Sequence, residues 1–166
     1  LHVDAVSGYG TAVPDKNGLF GNLAAVNMLH GIEAEFKITF LRCDTDEIYT
    51  MPSFYWSIND LDMGSLGGGL EVLTISGFES EYLLESAVGE VVKGQNGALT
   101  TYQGSTAGNE EDNPTDPFLL TDQQAGRTVS FKFPAGLSEF TFRYSVAGAA
   151  EPFPGHKDIG RHFQFS

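Results

Sequence analysis

Between Ile32 and Phe40 the chain places an apolar residue at every second position: Ile32, Ala34, Phe36, Ile38 and Phe40, with Glu33, Glu35, Lys37 and Thr39 between them. Side chains alternate faces in this way only along an extended backbone, so the period of two predicts a strand with one face in a core and one in water. The same period returns in Phe54 to Asn59, Leu70 to Phe78, Thr128 to Phe133, Glu139 to Val146 and His162 to Phe165. Shorter runs, Tyr82 to Ser86, Glu90 to Gly94 and Leu99 to Gln103, fill the interval between the second and third of these, and Gly89, Gly94, Gly97, Pro134 and Gly136 punctuate the series. Short strands separated by turn residues at roughly ten-residue spacing point to an all-β fold, an antiparallel two-layer β-sandwich of jelly-roll type with about eight or nine strands.

Composition bounds what such a sandwich can do. With 166 residues the chain is long enough to bury a core without a covalent staple. Cys43 is the one cysteine, which rules out an internal disulfide; following the apolar run before it, it reads as a buried structural thiol. The 9 Lys and Arg face 22 Asp and Glu, a net charge of −13, which argues against nucleic acid and anionic membranes as partners. No apolar run is long enough to span a bilayer, so membrane insertion is not expected. A start at Leu1-His2-Val3-Asp4 suggests a trimmed product, and an extracellular or cell-surface location is the expectation.

Residues 1–31 lack the alternation. Leu23, Val26 and Leu29 recur at a spacing of three between Gly21 and Gly31, which suggests a short helix or irregular cover. The organisation expected is therefore an N-terminal cover or exchange segment over 1–31 and the sandwich over 32–166. A second departure is the long polar loop from Gly104 to Gln124, rich in acids between Glu110 and Asp116 and ending in the capping-box pattern Thr121-Asp122-Gln123-Gln124 before Gly126.

Local catalytic signatures are missing: there is no nucleophile elbow, phosphate-binding glycine loop, His-Glu-x-x-His or paired cysteine. His156 and His162 flank a turn, but their spacing fits no standard ligand pattern. The sharper signal is two Asp-x-Asp units at strand ends, Asp44 with Asp46 and Asn59-Asp60 with Asp62. Calcium takes six to eight oxygen ligands, and carboxylates two apart on a turning backbone can share one ion, so Asp44 with Asp46, and Asn59, Asp60 and Asp62, are candidate Ca2+ ligands. The alternative is turn capping, in which aspartate accepts backbone N–H groups. Tyr55 and Trp56 alternate on one strand, so one of them faces away from the core; both are candidate contacts for a glycan stacked on an aromatic ring.

Three segments taken in order resemble a β-sandwich domain that recurs in secreted and surface proteins of microalgae, diatoms among them. They are Phe54 to Gly64 with its Asp-Leu-Asp turn, Leu70 to Gly77, and Asn113-Pro114-Thr115-Asp116-Pro117 through Leu120-Thr121 to Arg127 and Phe131, with Gly160 to Phe165 fitting the terminal strand. The similarity covers about residues 32–166 and implies a non-enzymatic module for adhesion or assembly, with the Asp-Leu-Asp turn as a cation site. The leading expectation is a structural or adhesive subunit that associates with copies of itself or with related chains, as in a filament, shell or sheath. A calcium-dependent, lectin-like glycan-binding module is the alternative, and an enzyme acting on polysaccharide through carboxylates comes last.

Overall fold

The computed structural model describes residues 1–64, 69–84, 90–97, 99–108, 113–148 and 160–166, excepting the Asn96 side chain. The strands run β1 (His2–Ser7), β2 (Gly18–Phe20), β3 (Leu23–Met28), β4 (Ile32–Thr39), β5 (Phe54–Asn59), β6 (Leu70–Ile75), β7 (Ser80–Leu83), β8 (Val91–Asn96) and β9 (Leu99–Gly104). After the short helix α1 (Asp122–Gly126) come β10 (Val129–Phe133), β11 (Glu139–Ala147) and β12 (Arg161–Phe165). They form two six-stranded sheets, ordered β1-β4-β11-β6-β9-β8 and β2-β3-β12-β5-β10-β7, with every strand pair antiparallel. This is the antiparallel two-layer sandwich that the alternation predicts.

The strands beyond the expected set are β1, β2 and β3, all from residues 1–31. In this chain that segment is built into both sheets: β1 pairs with β4, and β3 lies between β2 and β12. The helix or irregular cover expected over Asn22 to His30 is instead strand β3, and the reason is physical. Both faces of β3 are covered, so the strand lacks the polar positions that reveal a period of two. Ala24 and Val26 pack toward the core, while Asn27, on the other face, is buried beneath residues 11–13 and accepts from the Thr11 hydroxyl and the backbone N–H groups of Ala12 and Val13.

The core between the sheets is aromatic. Phe36, Phe142 and Tyr144 of one sheet meet Trp56, Phe131, Phe163 and Phe165 of the other. Trp56 packs edge-on to Phe140, with ring centroids 5.3 Å apart, and Phe36 stacks on Phe142 at 5.4 Å. Such rings bury large apolar area at low entropic cost and favour these tilted and edge contacts. The capping box forms as its sequence predicts: the Thr121 hydroxyl accepts from the Gln124 N–H, and the Gln124 side chain accepts from the Thr121 N–H.

Candidate functional site

Burying charge is costly unless partners are buried with it, so the buried charged residues mark the least ordinary chemistry of this fold. Among the described residues four are almost wholly enclosed: Asp60, Asp62, Glu71 and Arg127. They meet at one end of the sandwich, arriving from three separate pieces of chain. Asp60 and Asp62 sit on the turn leaving β5, where Asp60 takes φ +63°, a left-handed value that aspartate tolerates better than most residues. Glu71 occupies an inward position of β6, in register with the core residues Leu73 and Ile75. Arg127 follows α1, and Arg161 opens β12.

Two guanidinium groups organise the set. Arg127 donates through Nε to Glu90, at 2.5 Å, and through Nη2 to the Ala107 carbonyl, at 3.0 Å, while Nη1 lies 3.6 Å from Asp62 and 4.0 Å from Asp60. Arg161 donates through Nε to Glu71, at 3.0 Å, and through Nη2 to the other oxygen of Asp62. Asp62 is thereby held between two guanidinium groups. Its backbone is fixed as well: its N–H donates to Glu71 and its carbonyl accepts from the Glu71 N–H. Gly104 and Gly108 press against it so closely that a Cβ at either position would collide with Asp62, which explains glycine at both. The arrangement ties β6 and β9 of one sheet to β5, β10 and β12 of the other.

The electrostatics follow from the enclosure. Burial, seconded by the charge of Asp60, pushes the Glu71 carboxyl well above the usual carboxylate range, with the Tyr144 hydroxyl and Arg127 pulling weakly the other way. At Glu90 burial also opposes the charge, but the Thr106 hydroxyl and Arg127 outweigh it and hold the carboxyl below its usual value. Burial lowers the Arg161 guanidinium, with Asp60 opposing. One member of the set thus favours its proton and another favours its charge.

The structure separates the candidate cation ligands. Cys43, Asp44 and Asp46 lie on an exposed turn closed by a bridge between Leu41 and Ile48, where Asp46 takes φ +54° and its N–H donates to the Arg42 carbonyl at 3.1 Å. Cys43 is therefore exposed, not the buried thiol expected, because the alternating strand ends at Thr39 and the turn carries the next residues out of the core. That turn adjoins the first residue of β5, since Phe40 packs on Phe54 at 4.9 Å and its carbonyl accepts from Tyr49. Asp60 and Asp62 follow the last residue of β5. One Asp-x-Asp unit thus stands on an exposed turn and the other is enclosed beside Arg127. Asn59 accepts from the Thr128 hydroxyl at 3.2 Å. Among the described residues no group of three or more His, Cys, Asp and Glu is placed to hold a metal ion.

Trp56 is 2% exposed and belongs to the core; Tyr55 is 59% exposed and stands 5.9 Å from the ring of Tyr82 on the outer face of its sheet. His162 meets Asn113 at 2.9 Å, and His156 lies outside the described residues, as does the loop between 109 and 112. Sequence reasoning missed Glu71, Glu90, Arg127 and Arg161. The signal for Glu71 was present, a carboxylate in phase with the apolar positions Leu73 and Ile75, but the apolar neighbours Leu70 and Val72 masked it. No family model, curated protein or solved structure matches the chain.

Proposed function

We propose that this chain is a non-enzymatic structural module that works by associating with copies of itself or with related chains. The observation that carries the reading is where its exposed apolar residues lie. Leu1 and Leu19 are exposed at the margin where β1 and β2 form the sheet edges, Phe20 is exposed on β2, and Phe118 and Leu119 are exposed on the loop bonded to Asn22 beside it, while Ile48, Tyr55 and Val92 are exposed elsewhere. Exposed apolar residues at a sheet edge are a common mark of an association surface. The buried carboxylates support the same reading, because they are engaged with arginines that tie the two sheets together.

Light scattering on the full chain over a range of concentration and salt tests this reading. Copies carrying −13 each repel at low ionic strength, so the mean mass should rise with protein concentration and rise further between about 0.05 and 0.5 M salt as the repulsion is screened. A monomer mass under all these conditions overturns the proposal. A second reading, glycan binding, draws on the Tyr55 and Tyr82 pair, which offers two exposed rings beside Lys132 and Glu79. A glycan array read with and without a chelator tests it; a Tyr55→Ala, Tyr82→Ala variant should lose any signal seen.

A further inference from the structure

The margin between β1 and β2 is where the sandwich stays open. The small residues Ala5, Gly18, Ala24 and Ala25 lie there beside larger ones such as Val3, Leu19 and Phe36, whereas the centre is filled by Phe and Trp. The result is a cleft of about 630 Å³ between the sheets, floored by Phe36 and rimmed by Val3 and Leu19. This volume falls within the range of concave binding sites, roughly 300–1,000 Å³. None of the residues lining it has a charged side chain, although the chain carries 22 acids. Most of the lining side chains are apolar, which suits an apolar occupant.

The same margin carries a matching projection. Phe118 is 91% exposed and Leu119 78%, the former the most exposed large apolar residue described and both on the segment Pro117-Phe118-Leu119-Leu120, which contains no charge. The projection is not loosely tethered. The Asn22 N–H donates to the Thr115 carbonyl at 2.8 Å, the Asn22 side chain donates to Asp116 at 2.9 Å, and Asp116 in turn accepts from the Phe118 N–H at 2.9 Å. Gly21 lets this strap lie flat, since a Cβ there, at φ +61°, would collide with Thr115. Asn22 also lines the cleft, so projection and cleft lie side by side on one molecule.

We propose that the cleft receives Phe118 and Leu119 of a second copy of this chain, a specific form of the association proposed above and resting on it. Because projection and cleft adjoin, one two-fold axis lets each copy fill the other's cleft, and the contact closes as a dimer. An aromatic side chain buries on the order of 150–250 Å². Counting Leu119, the cleft walls and both halves of the dimer, the total reaches on the order of 1,000 Å², the lower limit for a specific interface. The lack of charged side chains in the lining limits the repulsion between two copies of an acidic protein at this place.

The test is sedimentation velocity on the full chain at low and high salt, comparing wild type with a Phe118→Ser, Leu119→Ser variant and with Leu19→Asp. All three positions are exposed, so the variants should fold, which circular dichroism checks. Dimerisation should weaken at least about a hundredfold in the first variant, from the loss of two large buried side chains. It should weaken at least about tenfold in the second, which sets a carboxylate at the cleft rim. Wild-type dimerisation in either variant overturns this inference and leaves the broader reading standing. A wild type that stays monomeric at high salt overturns both.

Discussion

At the Arg127 end the sandwich buries four charged residues and closes around them; at the β1–β2 margin it leaves apolar residues in water and stays open. Both regions depart from the ordinary rule that apolar groups go inside and charged groups outside, and they do so for different reasons. The first departs by pairing: each buried carboxylate named above has a guanidinium within reach, so its enclosure is compensated locally. The second departs by leaving a cleft between the sheet edges, lined in part by alanine and glycine. A compensated polar cluster can be complete within one chain. An underfilled apolar cleft is complete only when something enters it.

The largest effect that would test this contrast is expected at Arg127. Arg127→Ala leaves Asp60, Asp62 and Glu90 enclosed without their shared cation, and the loss should be about 3–5 kcal/mol of unfolding free energy, read by urea denaturation. A loss under about 1 kcal/mol would mean that the cluster is not held by pairing. Next comes Gly108→Ala, which drives a methyl into the Asp62 carboxylate and should cost about 1–3 kcal/mol in the same assay. Filling the cleft with Ala24→Leu should do the reverse at the other region, leaving stability within about 1 kcal/mol of wild type or raising it, since a void is occupied.

A smaller effect sharpens the electrostatic side. The native Glu71 carboxyl binds its proton more tightly than the unfolded one, so its contribution to stability is fully present below the ordinary glutamate value, about 4.3, and is lost as pH rises through the raised native value. Glu90 has the opposite sign: its contribution is present above the ordinary value and is lost as pH falls through the lowered one. Glu71→Gln keeps an oxygen for the Arg161 Nε and removes the titration, so stability measured against pH should lose its decline on the high side and keep the acid limb set by Glu90. The smallest expected effect is that of a chelator. With Arg127 and Arg161 supplying the positive charge beside Asp62, removal of divalent ions should leave the melting temperature unchanged; a shift of several degrees would show that a bound cation shares the task.

Much of the architecture was legible along the chain. Alternation at Ile32 to Phe40 and Glu139 to Val146 identified the two longest strands, which pair along eight positions, and the Thr121 capping box announced α1. One of Tyr55 and Trp56 had to face outward, and it is Tyr55. The cluster was only half legible. Asp60 and Asp62 stood out as a local pattern, but the direction of their chemistry depended on Arg127 and Arg161, which no local spacing links to them. Arg161 is 99 positions from Asp62 and 90 from Glu71.

Periodicity and turn chemistry are properties of neighbouring residues, and by themselves they determined that this protein is an antiparallel β-sandwich with acidic turns. Which charges meet, and which margin remains unfilled, depend on how the two sheets are laid over one another. The tertiary structure alone decided that β3 is a strand with both faces covered, that Cys43 lies outside, that Glu71 meets Arg161 and that Ala5 and Ala24 line one cleft. Each of these follows from contacts between segments far apart in sequence, where the burial of an opposing partner, and not the residue's own preference, sets the outcome.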